Sequence, residues 1–203
     1  FIGDGRLSMY ADDTIIYCKG KQVSDINNDL NDCVNKAATW FTSNCLALNV
    51  NKTVSMLVDA QVNCDEQNIL CVKLNDQIVE NLTVTKYLGV HVDRNLKFDK
   101  HILEIVKKIS GKLAWLGRLR HIVPRNLLEL TYKMYVLPLF DYACTVWGCT
   151  DVNVNIIQRL QNRAARLITG CFDIINIRDI TLVKSLKWQN IQERINYFLS
   201  IHM

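Results

Sequence analysis

Two adjacent carboxylates near the start of the chain are the residues best suited to chemistry. Tyr10-Ala11-Asp12-Asp13 lies between short apolar runs at 7–10 and 14–18, a pattern that predicts a β-hairpin with the aspartates at its tip. Like charges side by side repel each other, and a divalent cation offsets that repulsion. Carboxylate oxygens suit Mg²⁺, which usually takes one or two protein carboxylates together with substrate phosphates. The tip is therefore a candidate for phosphoryl transfer onto a 3′-hydroxyl by two such ions.

The same tip also has a purely structural interpretation. Aspartates are common in hairpin turns because they tolerate turn dihedrals and hydrogen-bond the local backbone. Apolar flanks, Leu7 and Met9 before the tip and Ile15 and Ile16 after it, predict a buried hairpin base that presents the carboxylates rigidly. The tetrapeptide alone leaves both interpretations open.

Hydrophobic periodicity predicts the elements that position the tip. Apolar residues at helical spacing predict a helix with Ser24 as N-cap and Phe41 near its end, and we expect it to pack on the hairpin sheet. Strands are predicted at the positions 53–58, 69–74, 78–82 and 87–92. The second and third of these are joined by a hairpin turn at Asn75-Asp76.

Amphipathic helices are predicted from about residue 95 onward. One covers 102–119, the next begins at Pro124 and breaks at Pro138, and a third covers 156–168 and stops at Gly170. One or two more are predicted between 182 and 199. The predicted fold class is α+β, with antiparallel hairpins and a packed helix in 1–95 and an all-helical bundle in 96–203.

Charge is distributed unevenly along the chain. Residues 1–100 carry 10 Lys and Arg against 13 Asp and Glu, whereas residues 101–203 carry 14 against 7. A basic half suits a polyanion such as nucleic acid, although ordinary solvated helix faces would give the same count. Arg159, Arg163 and Arg166 fall in one sector of a predicted helix, as expected of a helix that follows a phosphate backbone.

Composition narrows the class of protein. A chain that is 49% hydrophobic and 22% charged is typical of a globular protein rather than a disordered one. Its longest apolar run, 134–140, is far shorter than the roughly 18 residues of a membrane span. The 8 cysteines show no CxxC pair or zinc-ligand spacing, so we expect free thiols in a reducing compartment. The tryptophans at 115, 147 and 188 lie among apolar residues and are expected in the core rather than as base-stacking platforms.

An ordered set of motifs resembles a known family. YADDT at 10–14 is followed by Leu46-Ala47-Leu48-Asn49-Val50-Asn51-Lys52-Thr53, with the pattern LxLNxxKT, and by YLGV at 87–90. With the later stretches 142–148 and 157–166, the set resembles the reverse transcriptases of non-LTR (LINE-type, jockey-like) retrotransposons over nearly the whole chain. The resemblance implies a partial polymerase palm with the YADD hairpin and primer-grip-like strands in 1–95. It implies a helical thumb and post-thumb region in 96–203.

The resemblance also implies roles for single residues. Asp12 and Asp13 match the family's metal-binding aspartates, with Asp12 the stronger candidate for a direct ligand, and Tyr10 would lie beside the primer end. Lys52 matches a lysine near the phosphates of the incoming nucleotide, where a cation would stabilise the departing pyrophosphate or act as general acid. Lys52 has an equally good interpretation as an exposed lysine at a strand end.

A second hairpin is implied by the YLGV motif. Tyr87, Leu88 and Gly89 match the hairpin that grips the primer, where a glycine lets two backbones approach closely. Leu88 could equally be an ordinary buried strand residue.

The implied activity is template-directed addition of deoxynucleotides to a primer 3′-hydroxyl, with Mg²⁺ as cofactor and Mn²⁺ as an alternative. The implied partners are an RNA template, a DNA primer, deoxynucleoside triphosphates and an N-terminal part of the same polymerase, in a cytoplasmic and nuclear ribonucleoprotein that is not secreted. Such a palm needs a third carboxylate on an upstream strand, and Asp4 lies too close to the hairpin to supply it, so we expect the chain alone to be inactive. Two alternatives stay open: a remnant that only binds nucleic acid through its basic helices, and a structural fragment with no function of its own.

Overall fold

The computed structural model describes residues 6–59, 70–148, 150–172 and 179–201. The chain divides into two compact units, Phe1–Leu96 and Lys97–Met203, and the mixture of helices and small sheets agrees with an α+β class. Asp4 and Ile69, the latter at the start of a predicted strand, lie outside the described residues. Among the described helices, none is long and apolar enough to cross a membrane. The assignment of the two units to palm and thumb stays a prediction.

The first unit begins with the predicted hairpin. Strand β1 (Arg6–Tyr10) pairs antiparallel with β2 (Asp13–Tyr17), and Tyr10 lies opposite Asp13. The prediction of a buried hairpin base is wrong for β1, because Leu7 is 39% exposed and Met9 is 45% exposed. Within the part of the chain that the structure describes, this sheet has two strands, and the helix that follows packs on β2, whose Ile15 and Ile16 are half-buried.

That helix, α1 (Val23–Ser43), begins one residue before its predicted cap. Gln22 occupies the N-cap position without a side-chain hydrogen bond, so the assignment of Ser24 as N-cap is wrong. The Ser24 hydroxyl instead donates to the Asp25 carboxylate within the first turn.

We expected α1 to pack on the hairpin sheet, but its main packing surface is a separate apolar cluster. The buried members of this cluster come from the segments that follow the helix and are Leu57, Leu70, Val72, Leu74 and Val79. Two asparagines fix α1 to this cluster by satisfying strand backbone: Asn31 accepts from Lys73 N at 2.8 Å and donates to Cys71 O at 3.0 Å, and Asn27 accepts from Cys71 N at 2.9 Å. Their amide side chains act as a neighbouring strand would, which leaves fewer backbone groups unpaired.

The remaining strands of the first unit are shorter than predicted. After a short 3-10 helix (Val50–Lys52), β3 (Val54–Ser55) pairs parallel with β6 (Glu80–Asn81), and β4 (Lys73–Leu74) pairs antiparallel with β5 (Gln77–Ile78). The predicted turn at Asn75-Asp76 is confirmed, and its two residues have φ of 50° and 62°, as a primed hairpin turn requires.

The segment predicted from its periodicity as one strand at 87–92 is instead part of a second tight hairpin, which agrees with the hairpin implied by the YLGV motif. Strand β7 (Val84–Tyr87) pairs antiparallel with β8 (Val90–Asp93), and Leu88-Gly89 forms the turn between them. This stretch resembles a single strand in sequence because its turn contains a leucine rather than a polar turn residue. The glycine beside it was the signal for the turn.

The second unit is helical, as predicted. Its helices are α2 (Asp99–Leu119), α3 (Arg125–Tyr135), α4 (Leu137–Asp141), α5 (Cys144–Trp147), α6 (Asp151–Thr169), α7 (Asp179–Ser185) and α8 (Ile191–Ile201). Pro124 directly precedes α3, as predicted. The predicted break lies between the end of α3 at Tyr135 and the start of α4, and Pro138 lies in the first turn of α4. Gly170 ends α6 with φ of 71°, which confirms the predicted stop.

The core of this unit lies along α2 and is closed by aromatic and charged contacts. Ile109, Leu113 and Leu116 of α2 are almost completely buried, as their helical spacing predicted. Asp141 of α4 and Arg194 of α8 form two hydrogen bonds of 2.6 and 2.7 Å. Carboxylate and guanidinium thus meet in the paired geometry that makes such contacts strong.

The three tryptophans of this unit have different environments. Trp147 is fully buried, and Trp188 is half-buried and stacks on Tyr132 with 4.2 Å between ring centroids. Trp115 is 44% exposed, so its placement in the core was wrong. It occupies a position beside the apolar stripe of α2, between Leu113 and Leu116, which are the residues that point inward.

Candidate functional site

The tip of the first hairpin displays both aspartates, Asp12 in a two-residue turn and Asp13 at the start of β2. Ala11 and Asp12 form the turn between Tyr10 and Asp13, and Ala11 has φ of 52°, a conformation that hairpin turns usually give to glycine. Asp12 and Asp13 are exposed, and the Tyr10 side chain beside them is 66% exposed. The three residues predicted to act at this tip therefore share one turn and face solvent.

The carboxylates of Asp12 and Asp13 supply part of the ligand shell of a hard divalent cation. Two carboxylates supply the oxygen ligands that Mg²⁺ prefers, and such an ion completes its shell with water and substrate phosphate. Among the residues described, no cluster of three or more Asp, Glu, His and Cys side chains could hold a metal by itself. The tip thus supplies two protein ligands, and water and substrate phosphate would complete the shell of a bound ion.

The opposite end of this hairpin contacts α1 through two thiols. The Sγ atoms of Cys18 and Cys33 lie 3.8 Å apart, and Cys33 is buried. Burial, followed by the neighbouring Cys33 thiol, raises the pKa of Cys18 to about 11. Cys18 therefore stays protonated at neutral pH and acts as a small apolar anchor for the hairpin.

The LxLNxxKT motif contains the short 3-10 helix, and side chains of the motif hydrogen-bond to the backbone of that turn. Asn49 caps this helix by accepting from Lys52 N at 3.3 Å, and the Thr53 hydroxyl donates to Asn49 O at 2.9 Å. Leu48 and Val50 pack against the apolar cluster of the first unit, while Lys52 is exposed. The polar residues of the motif hold the backbone, and its lysine is left facing solvent.

The YLGV motif forms the turn of the second hairpin. Leu88 has φ of 44° and Gly89 has φ of 82°, which is the sign pattern of a type I′ turn. The interpretation of Leu88 as an ordinary buried strand residue is therefore wrong, since it is a half-buried turn residue. Val90, which pairs with Tyr87, is buried and anchors the hairpin. The candidate residues of the first unit thus lie on three turns: the aspartate tip, the 3-10 helix and this hairpin.

The arginines of α6 have two different environments. Arg159 and Arg163 are exposed, but Arg166 is buried and forms contacts of 2.6 and 2.7 Å with one carboxylate oxygen of Asp179. The expectation that all three arginines lie along one solvent-facing surface is wrong for Arg166. Its charge is used to connect α6 to α7.

A groove of about 440 Å³ runs beside these arginines. Its walls are formed by Arg159, Asn162, Arg163, Arg166, Leu167, Phe172 and Asp179. Arg120, at the end of α2, stacks over the Phe172 ring at 4.6 Å. Sequence reasoning missed Arg120 and Phe172, because residues so far apart in the chain carry no local pattern that joins them.

Comparison with known proteins gives relatives over nearly the whole chain. It is 28% identical over 198 residues, 96% of its length, to the "Probable RNA-directed DNA polymerase from transposon X-element" of Drosophila melanogaster. It is 29% identical over 212 residues, 98% of its length, to the "RNA-directed DNA polymerase from mobile element jockey" of the same organism. A third relative, the "Probable RNA-directed DNA polymerase from transposon BS", is 26% identical over 94% of the chain.

The chain spans about a fifth of the length of these relatives, between 21% and 22%. No family model matches it, and no solved structure matches it. The relatives are nevertheless consistent with each other in name and in the extent of the match. The chain is therefore a homologue, at modest identity, of the RNA-directed DNA polymerases of non-LTR mobile elements.

Proposed function

We propose that this chain is a segment of an RNA-directed DNA polymerase of a mobile element, in which Asp12 and Asp13 hold catalytic divalent metal. The observation that supports this most is the exposed hairpin tip, with Asp12 in its turn and Asp13 at the start of β2, in a chain whose relatives are named as polymerases of that kind. The reaction proposed is addition of deoxynucleotides to a primer 3′-hydroxyl on an RNA template. When bound, Mg²⁺ or Mn²⁺ would activate the attacking oxygen and stabilise the leaving one.

Each candidate residue has a distinct task in this proposal. Asp12 and Asp13 supply carboxylate ligands from a turn whose ends are fixed by strand pairing, and Tyr10 lies beside the primer end. Lys52, held at the surface by the Asn49 cap, faces the phosphates of the incoming nucleotide and stabilises the departing pyrophosphate. Tyr87, Leu88 and Gly89 present a tight backbone turn to the primer strand.

The basic helix of the second unit contributes binding rather than chemistry. Arg159 and Arg163 are exposed and suit contacts with the phosphates of the primer–template duplex, whereas Arg166 positions α6 through Asp179. The proposed partners are thus the RNA template, the DNA primer and the nucleoside triphosphates. The rest of the polymerase is the proposed partner of the first unit, and the whole would act in a cytoplasmic and nuclear ribonucleoprotein.

Primer extension tests this proposal in a longer polypeptide that includes the chain and the rest of the polymerase. On a poly(rA)–oligo(dT) substrate with Mg²⁺, Asp12→Asn is expected to lower the incorporation rate at least about a hundredfold, because metal-held charge stabilisation is worth several kcal/mol. Asp76→Asn is the matched control, since Asp76 also lies in a two-residue hairpin turn of the first unit and should leave the rate unchanged. Equal rates in the Asp12→Asn variant and the unsubstituted polymerase would contradict the proposal.

The 203-residue chain alone is expected to be inactive in the same assay. Its described residues hold two adjacent carboxylates at the tip but no larger metal-binding cluster. Incorporation by the isolated chain that disappears in Asp12→Ala would show that this expectation is wrong.

A second function is favoured by the groove beside Arg159 and Arg163: binding of nucleic acid without chemistry, as in a decayed or repurposed remnant. Both functions predict binding that weakens steeply with salt, because neutralised phosphates release counterions. They differ in the primer-extension assay, where only the polymerase depends on Asp12.

A further inference from the structure

A cleft between α2 and α3 combines exposed aromatic rings with an ammonium group. Its volume is about 250 Å³, and its walls are Lys112, Trp115, Leu116, Thr131, Tyr135 and Val136. Leu116 and Val136 are buried and form an apolar floor, whereas Trp115 is 44% and Tyr135 56% exposed. Two large, partly exposed rings thus line the same cleft as this apolar floor.

Lys112 lies at the edge of this cleft. Its Nζ donates to the Tyr135 carbonyl oxygen at 2.7 Å and lies over the Tyr135 ring, 5.8 Å from the ring centroid. An ammonium group has three donors, and this hydrogen bond uses one of them. The others can reach an anionic group that approaches from solvent beside the rings.

A flat aromatic ligand with a neighbouring negative charge matches both features. Nucleobases stack on aromatic side chains in a sequence-tolerant way, and their phosphates pair with lysine. Residues 97–203 carry 16 Lys and Arg against 8 Asp and Glu, so the unit as a whole attracts a polyanion. An apolar peptide segment would fill the floor but would gain nothing from this charge.

We propose that this cleft binds an unpaired base of single-stranded nucleic acid, stacked on Trp115, with the adjacent phosphate on Lys112 beside Tyr135. This inference rests on the proposed nucleic-acid function and adds a site to it that lies apart from the α6 groove. A duplex keeps its bases paired and stacked, so the site selects for a single strand.

The test uses the 203-residue chain and fluorescent single strands: oligo(dT), oligo(U) and an abasic oligodeoxynucleotide of equal length. Unsubstituted protein is expected to bind oligo(dT) more tightly than the abasic strand. Trp115→Ala should lower the oligo(dT) affinity by about tenfold and leave the abasic affinity unchanged, because only base stacking is removed. Trp115→Phe should retain most of the difference. Trp40→Ala removes a tryptophan of similar exposure from the first unit and should change neither affinity.

The outcomes separate this site from the broader proposal. If Trp115→Ala lowers the affinity for both oligo(dT) and oligo(U), the site accepts unpaired bases of DNA and RNA alike. If it lowers the affinity for one of them, the site is assigned to that kind of strand. If the protein binds oligo(dT) and the abasic strand equally, or if Trp115→Ala lowers both equally, the stacking site is wrong while nucleic-acid binding stands. If the protein binds none of the strands, both are overturned.

Discussion

Single residues at the tip of the first hairpin combine a costly backbone conformation with exposed charge. Ala11 has φ of 52°, and Leu88 in the second hairpin has φ of 44°. An L-residue in this region costs roughly 1–2 kcal/mol relative to the right-handed one. In the first hairpin this conformation lies directly beside the carboxylates that we assign to metal binding.

Replacing Ala11 by glycine should relieve that cost. We expect Ala11→Gly to raise the free energy of unfolding of the first unit by about 0.5 kcal/mol, since glycine adopts positive φ without strain but has more entropy to lose. Amide hydrogen exchange in α1 measures the change. Ala37→Gly, in the interior of α1, is the control with the opposite sign and should destabilise by about 1 kcal/mol. A destabilisation by Ala11→Gly of similar size would contradict this view of the turn.

The local backbone at the first hairpin was largely predictable from the sequence. An Asp pair between two apolar runs indicates a hairpin tip, and the structure places Tyr10, Asp12 and Asp13 there. Exposure was less predictable. In sequence, Trp115 has the surroundings of a core residue and Arg166 those of a surface residue. In the structure Trp115 is exposed and Arg166 is buried, because burial depends on helices that are distant in the chain.

At the scale of elements, Glu129 connects α3 to the segment after α7. Its Oε1 accepts from Lys133 Nζ at 2.7 Å and from Trp188 Nε1 at 3.1 Å, and Trp188 in turn stacks on Tyr132. The hydrogen bond from Lys133 lowers the pKa of Glu129, and the bond from Trp188 acts in the same direction against the effect of burial. The carboxylate is thus favoured in the folded state.

A lowered carboxyl pKa makes stability depend on acid pH. The contribution is present above the unfolded pKa, near 4.5, and is lost as the pH falls through the lower value of the folded state. Because the side chain is 24% exposed, we expect a loss on the order of 0.5 kcal/mol on acidification.

Urea unfolding of the second unit at neutral and acid pH measures this loss. Glu129→Gln should remove the pH dependence that this residue contributes. A pH dependence in Glu129→Gln equal to that of the unsubstituted chain would contradict the assignment.

Helices and two hairpin turns were predictable at this scale, whereas the extents of the later strands were not. Apolar residues at helical spacing over long segments located α1, α2 and α6, whereas several strands are two residues long and offer too few alternations to be recognised. The packing of α1 was also unpredictable, since it depends on Asn27 and Asn31 pairing with a strand edge far along the chain.

At the scale of the whole molecule, the two units have net charges of opposite sign. Residues 1–96 carry 8 Lys and Arg against 12 Asp and Glu, while residues 97–203 carry 16 against 8. An acidic unit that bears a carboxylate tip suits cations, and a basic unit with an arginine groove and an aromatic cleft suits a polyanion. The order of motifs along the chain predicted the family of its relatives. Local patterns could not predict which distant residues meet in the groove or the cleft.

The measurement that tests the central claim most directly is a Mn²⁺ titration of the chain, followed by paramagnetic broadening of its amide NMR signals. We predict selective broadening at Tyr10, Ala11, Asp12 and Asp13, abolished in the Asp12→Asn, Asp13→Asn double variant and retained in Asp76→Asn. Broadening that persists in the double variant, or that is equally strong at the Asn75-Asp76 turn, would contradict the assignment of the hairpin tip as a metal site.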